Sequence, residues 1–163
     1  MKTRLLIAAV VSLAALSPVT VSADPPTSVV INVRPIPFPH GDCRPFQCGT
    51  WDLTSAAIDD SGNYRSIEAA VAPPDRNPFS PGPLFETFLL TRASGDGSLT
   101  VRAEERLVGT IPNQNQTGVW QIESGTGIYA DASGHGDVSR TISCCPFTLT
   151  LTLSGVIGKV GLG

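Results

Sequence analysis

Residues 147–154 read Phe-Thr-Leu-Thr-Leu-Thr-Leu-Ser, the most regular stretch of the chain. Because successive side chains of a strand point to opposite faces, the phenylalanine and leucines share one face and the hydroxyl groups share the other. This alternation is typical of an antiparallel strand with one face in a core and the other in water. The stretch therefore predicts a half-buried β-strand.

The same period of two recurs through the chain in short segments separated by turns. Strands are predicted at 28–36, 50–58, 63–72, 83–92, 98–111, 117–123, 129–131, 136–143 and 147–154. Turns are predicted at 59–63, 94–97 and 133–134, and longer connections at 72–83 and 111–117. A meander of about eight strands usually closes on itself, because closure removes exposed sheet edges. We predict an all-β fold, a closed antiparallel barrel of about eight strands.

The N-terminus has the three parts of a secretory signal peptide. Two basic residues precede an uncharged run over 5–16, and Val-Ser-Ala at 21–23 places small residues before the cleavage point. The uncharged run is shorter than the roughly 20 apolar residues that span a membrane. We predict cleavage of 1–23, a single barrel domain over 24–163, and a secreted protein without a membrane anchor, periplasmic or extracellular in a bacterium.

The charge balance bears on the class of partner. After position 23 the chain carries nine basic and fourteen acidic residues, a net charge of −5. Nucleic acids and anionic membranes are bound through basic surfaces. We therefore expect neither as a partner.

Four cysteines remain after the signal sequence: Cys43, Cys48, Cys144 and Cys145. In an exported protein an even number of cysteines indicates disulfides. A bond between the adjacent Cys144 and Cys145 would form a strained ring. The other two pairings both join the 43–48 segment to 144–145, and the sequence does not choose between them.

A metal site is the alternative reading of these cysteines. His40 and Asp42 stand beside Cys43 and could complete a ligand set. The adjacent pair at 144–145 lacks the short spacing that zinc sites favour. We therefore expect disulfides, and neither a metal nor a cofactor.

Residues 120–134, WQIESGTGIYADASG, resemble the allene oxide cyclase and dirigent-like barrel superfamily. In that superfamily a strand ends in a glycine-rich turn, followed by an aromatic residue and a small-residue step ending in glycine. The resemblance covers about the last third of the mature chain and implies the barrel fold. Cyclases of this superfamily isomerise a fatty-acid epoxide inside the barrel, and dirigent proteins steer the coupling of phenolic radicals. Neither set of functional residues can be placed on this chain, so the resemblance leaves the activity open.

Two acidic residues fall on predicted inward faces. Alternation through 100–107 turns Glu105 toward the apolar face, and Glu86 shares a face with Phe88. A carboxylate inside a barrel is costly unless it is paired, and such sites often mark function. Glu105 and Glu86 are therefore candidate acid/base or ligand-orienting residues. The alternatives are a β-bulge that turns Glu105 outward or a position at a wet barrel mouth.

Trp120 and Tyr129 are the candidate ligand contacts, because both are aromatic and flank the glycine-rich turn. Gly125 and Gly127 would allow the chain to reverse tightly there. The structural alternative is that these glycines and aromatics only shape and fill the barrel.

Three functions are compatible with the sequence. The first is a secreted module that binds a small, mostly apolar ligand in the barrel or at its mouth. The second is an isomerase or cyclase of the allene oxide cyclase type, which needs an internal acid/base such as Glu105. The third is a non-catalytic envelope or interaction protein with a filled interior. An interior pocket of roughly 300 Å³ or more would favour the first two.

Overall fold

Eight β-strands make up most of the part of the chain that the computed structural model describes, residues 25–36, 47–71, 83–110, 113–143 and 148–161. They are β1 (Thr27–Pro35), β2 (Cys48–Ser55), β3 (Asp59–Val71), β4 (Pro83–Arg92), β5 (Gly97–Thr110), β6 (Asn113–Gly127), β7 (Ser133–Ser143) and β8 (Thr148–Gly158). Each strand pairs antiparallel with the next, and β8 pairs with β1. The prediction of an all-β, closed antiparallel barrel of eight strands is confirmed.

Several sequence predictions fall outside these described residues. They are the signal peptide, the 72–82 connection, His40, Asp42, Cys43, Cys144 and Cys145. Within the described ranges no helix is long and apolar enough to cross a membrane.

Apolar side chains from every strand line the barrel interior. Strand β8 follows the predicted alternation, with Leu149, Leu151 and Leu153 buried and the threonines between them facing outward. The largest fully buried side chains are Trp51, Trp120, Tyr64, Tyr129, Phe88, Ile31, Leu53, Leu90, Leu99, Leu151, Leu153 and Ile157. Burial of such side chains stabilises the fold by about 1.5–3 kcal/mol for each aliphatic or phenylalanine side chain.

The turn predicted at 59–63 is wrong, since β3 already begins at Asp59. The chain reverses earlier, at 56–58, and β2 ends at Ser55 instead of 58. The Ser55 hydroxyl accepts hydrogen bonds from the backbone N–H groups of Ala57 and Ile58. This local serine turn ends the strand before the acidic residues are reached.

The predicted boundaries around the glycine-rich run are also wrong. Strand β6 continues through Gly127, the segment 129–131 forms the turn, and β7 begins at Ser133. The turn is closed by backbone N–H groups of Tyr129 and Ala130, which donate to the carbonyls of Thr126 and Gly127 at 3.1 and 3.0 Å. Residues 113–117, predicted as a connection, belong to β6, because they pair with β5 on one side and, from Gln114, with β7 on the other.

The two ends of the barrel differ. The turn end holds the short connections 56–58, 93–96 and 128–132, together with the start of β1 and the end of β8. The loop end is defined by Pro35, Cys48, Val71, Pro83, Thr110, Asn113, Ser143 and Thr148. Because consecutive strands alternate in direction, the connections β1–β2, β3–β4, β5–β6 and β7–β8 all leave from the loop end.

Candidate functional site

The turn end is closed by a hydrogen-bonded set of side chains. The Tyr129 hydroxyl donates to Asp60 Oδ2 at 2.5 Å, and Arg92 Nε donates to the same oxygen at 2.6 Å. Tyr129 has no exposed surface, and its burial together with its bond to Asp60 raises the pKa of its hydroxyl. Ile58, Ile128 and Val160 pack against the core from this end. Tyr129 thus serves to close the barrel at this end.

Trp120 is also part of the packed interior. It is buried on β6, and its indole Nε1 donates to the backbone carbonyl of Ser154 on β8 at 3.1 Å. Because its polar atom already has a protein partner, Trp120 fits the structural alternative that the sequence left open.

Glu86 and Glu105 lie inside the barrel, 4 % and 1 % exposed. Both contact Arg140 of β7, itself 4 % exposed. Arg140 Nε lies 3.0 Å from Glu105 Oε2, and its Nη2 lies 2.7 Å from Glu105 Oε1 and also donates to Glu86 Oε2. The Tyr64 hydroxyl donates to Glu86 Oε1 at 3.0 Å. We call Tyr64, Glu86, Glu105 and Arg140 the polar cluster.

The strand register explains why Glu105 points inward. The only irregularity in the β5–β6 pairing lies between Thr100 and Val101. From Val101 the alternation then runs unbroken through Ala103 to Glu105, and all three are buried. The alternative in which a bulge turns Glu105 outward is therefore wrong.

The polar cluster lies in the loop-end half of the interior. On β4, Glu86 is nearer the loop end than the buried Phe88 and Leu90. On β5 and β7, Glu105 and Arg140 are likewise nearer the loop end than the buried Ala103 and Val138, whereas β1, β2 and β8 contribute apolar side chains along most of their length. The cluster therefore joins β3, β4, β5 and β7 on the loop-end side of their buried apolar residues.

Buried polar atoms without a hydrogen-bond partner occur next to this cluster in the strand register. In the described part of the chain, the buried side-chain polar atoms without a hydrogen-bond partner are Gln47 Oε1, Ser66 Oγ, Gln114 Oε1 and Gln116 Oε1. Gln116 pairs in register with Arg140, and Ser66 follows Tyr64 at the next inward position of β3. An unsatisfied buried polar group costs about 1–3 kcal/mol, so each of these groups would gain stability from a hydrogen-bond partner.

Burial shapes the acid–base properties of the cluster. It raises the pKa of Glu105; the guanidinium of Arg140 opposes this rise and the nearby Glu86 carboxylate adds to it. Burial and the Glu86 carboxylate hold the pKa of Tyr64 well above its ordinary value, so its hydroxyl stays a donor. For Arg140, burial lowers the pKa, but the two carboxylates outweigh it and raise it overall. Of these three groups, Glu105 is the one whose pKa moves toward neutral pH.

Sequence reasoning found both carboxylates of the cluster but missed Arg140, Tyr64 and the two glutamines. Alternation could have found Arg140, because it shares the inward face of β7 with the buried Val138. Gln114 and Gln116 were missed because 111–117 was read as a connection. Tyr64 lies within the predicted strand 63–72, but no inward face was assigned to that strand.

The outer face offers grooves of a different kind. One of about 300 Å³ lies over β5, β6 and β7 and includes Arg102, Val119 and His135. It is open to solvent. Arg102 Nη1 lies 3.6 Å from Glu123 Oε1, and the Arg102 guanidinium lies over the Phe85 ring. The groove has no buried unpartnered group, so the interior is the stronger candidate.

Comparisons with protein-family models, with curated proteins and with solved structures found no match. Within the described ranges no group of three or more His, Cys, Asp or Glu side chains is arranged to hold a metal ion.

Proposed function

We propose that this protein is a secreted barrel that binds a small molecule in the loop-end half of its interior. The observation that carries the proposal is the buried ion triad of Arg140, Glu86 and Glu105 beside unpartnered oxygens. Buried ion pairs rarely stabilise a fold more than apolar side chains of similar volume would. A few convergent polar groups in an otherwise apolar interior are typical of ligand sites.

The difference between the two ends of the barrel indicates where a ligand would enter. The turn end is sealed by Tyr129, Asp60 and Arg92 and by the apolar side chains beneath them. The polar cluster lies toward the other end. A ligand would therefore enter at the loop end. Its polar group would contact the polar cluster, and its apolar part would contact the apolar side chains of β1 and β8.

An isomerase or cyclase of the allene oxide cyclase type is the second candidate. It is favoured by the raised pKa of Glu105, which suits a carboxyl group that exchanges a proton with a bound substrate. Tyr64 and Arg140 would supply hydrogen-bond donors to a developing negative charge nearby. Such an enzyme would convert a lipid-like substrate into a product of the same mass.

We further propose that the chain is exported, loses residues 1–23 and forms two disulfides from Cys43, Cys48, Cys144 and Cys145. Cys48 begins β2 at the loop end, and Ser143 and Thr148, which flank the adjacent cysteines, lie at the same end. Strand β1 pairs with both β2 and β8 and so brings these segments close together. The closed eight-stranded barrel also supports, as a proposal, membership of the allene oxide cyclase and dirigent-like superfamily.

Native mass spectrometry of the protein from an oxidising secretory host tests the binding proposal. We expect extra mass in the native state that disappears on denaturation, and a denatured mass four hydrogens below that of the reduced mature chain. A bare native protein that also binds nothing from a fragment library would contradict the proposal. A bare dimer would favour the third function, an interaction protein with a filled interior.

The substitution Glu105→Gln separates binding from catalysis. A binding role for the carboxylate predicts loss of the retained ligand, whereas a catalytic role predicts that substrate still binds but is not converted. Glu104→Gln is the matched control, because Glu104 is the preceding residue of β5 and faces outward. Retention of ligand and of any turnover by Glu105→Gln would remove this residue from the site.

A further inference from the structure

The described part of the interior holds more negative than positive charge. Its buried charged side chains are Glu86, Glu105 and Arg140, two carboxylates against one guanidinium. With all three ionised, these described side chains have a net charge of −1. A buried charge without a counter-charge is costly, so a complementary cation would be bound favourably.

The hydrogen-bonding capacity of the interior is equally one-sided. Each of the four carboxylate oxygens accepts a bond from Tyr64 or Arg140, and each has a second lone pair. Of the unpartnered groups, the Gln114 and Gln116 oxygens, in side chains at most 3 % exposed, only accept, whereas the Ser66 hydroxyl can also donate. The described part of the interior therefore has more hydrogen-bond acceptors than donors.

We propose that the group received by the polar cluster is an organic cation, an ammonium or amidinium ion carried by a small apolar body. This rests on the proposed function, since it names the class of ligand bound at the same site. An ammonium ion supplies one positive charge and three donors, which match the missing charge and the excess of acceptors. An ammonium ion that donates to Gln116 and to the free lone pairs of Glu105 would balance the charge and satisfy these acceptors at once.

Other ligand classes match the interior less well. A carboxylate or phosphate would add to the negative charge, and it would bring further hydrogen-bond acceptors where donors are needed. A neutral alcohol would supply donors but leave the charge uncompensated. A hard metal ion prefers several carboxylate ligands, and the described residues hold no group of three or more His, Cys, Asp or Glu side chains arranged for a metal.

Butylammonium, butanol and butyrate test the proposal, because they share an apolar tail and differ in the head group. Isothermal titration of the mature protein should give butylammonium an affinity at least about tenfold higher than that of butanol, and no binding of butyrate. Equal binding of butanol and butylammonium, or preferred binding of butyrate or of calcium ions, would overturn the proposal.

Two variants locate the binding in the interior. Glu105→Gln should weaken butylammonium binding by about tenfold or more, by removing the excess charge, whereas Glu104→Gln should not change it. Gln116→Met keeps all charges and removes one acceptor, so it should weaken the same binding even if Glu105→Gln does not fold. Unchanged affinity in whichever of these two interior variants folds would show that the cation binds elsewhere and would overturn the proposal.

The two proposals fail in different ways. A retained ligand that is neutral or anionic would refute the cation and leave the binding function standing. A protein that neither retains a molecule nor binds any of the three probes would refute the binding function itself.

Discussion

Arg140 is the buried cation of the described interior, and three strands depend on it, because it lies on β7 and bonds carboxylates of β4 and β5. Its contribution to stability is the neutralisation of two buried carboxylates. If it were replaced by an apolar residue, Glu86 and Glu105 would face each other without a counter-charge. Removing one partner of a buried ion pair usually costs more than the pair itself contributes.

The first prediction concerns this residue. Arg140→Met should lower the free energy of unfolding by about 3–5 kcal/mol, measured by urea denaturation. Arg102→Met is the control, since the Arg102 side chain is half exposed and its contact with Glu123 is long, so its loss should cost less than about 1 kcal/mol. Equal losses in the two variants would contradict the role assigned to Arg140.

Glu105 makes stability depend on pH. Its pKa is raised in the folded protein above the ordinary value of 4.5, chiefly by burial, although Arg140 opposes the rise and Glu86 adds to it. Above pH 4.5 the folded state therefore holds this proton more tightly than the unfolded chain does. The contribution of Glu105 to stability should fall as the pH rises, because the unfolded state binds fewer protons than the folded one.

The second prediction follows from that sign. The difference in unfolding free energy between the wild type and Glu105→Gln should become less favourable to the wild type as the pH rises from 4.5 toward 7. Taking this difference removes the opposite trend of groups such as Asp52, whose pKa is lowered chiefly by the Asn32 hydrogen bond. A flat difference, like that expected for Glu104→Gln, would refute the assignment to Glu105.

At the scale of elements, the β6–β7 turn shows why glycine is needed where the chain reverses. Gly127 has a φ of +57°, and a Cβ there would lie 1.7 Å from the carbonyl oxygen of Asp96. Gly95, in the β4–β5 turn, has a φ of +78° but open space around it. A substitution at Gly95 therefore measures the cost of the backbone conformation alone, and one at Gly127 measures that cost together with the cost of the steric contact.

The third prediction uses that pair. Gly95→Ala should destabilise the protein by about 1–2 kcal/mol, the usual cost of a side chain in the left-handed region. Gly127→Ala should cost about 1–3 kcal/mol more, because the β4–β5 turn must also shift to make room. Thermal or urea unfolding of both variants measures the difference, and equal costs would show that the close approach is relieved without strain.

At the scale of the whole molecule, the barrel has one end closed by short turns and another from which its two longest connections, 36–47 and 72–82, leave. The proposed disulfides would bind β2 to the β7–β8 connection at that second end, across a segment of roughly 100 residues. In the chain-entropy model such a link contributes up to about 4–5 kcal/mol. The end that admits a ligand would then also be the end that is covalently held.

The fourth prediction tests this arrangement. Reduction of the mature protein should lower its unfolding free energy by a few kcal/mol, and the double substitution Cys43→Ser with Cys48→Ser, which removes both links, should abolish that response. Peptide mapping of the oxidised protein under non-reducing conditions would identify which of the two pairings forms. An unfolding curve that does not change on reduction would refute a stabilising disulfide.

The sequence by itself determined the barrel and the inward direction of its two carboxylates. Both follow from alternation, a local property that each strand carries within its own residues. Turn boundaries were predicted less well, because single interactions such as the Ser55 hydroxyl with Ala57 and Ile58 move the point of reversal by a few residues.

Only the tertiary structure decided what the carboxylates meet. Arg140 is 54 residues from Glu86 and 35 from Glu105, and Tyr64 is 22 from Glu86. These side chains come together because the sheet closes and its register sets their heights along the barrel. Alternation states which face a side chain takes, whereas the closure of the barrel determines which charges share its interior.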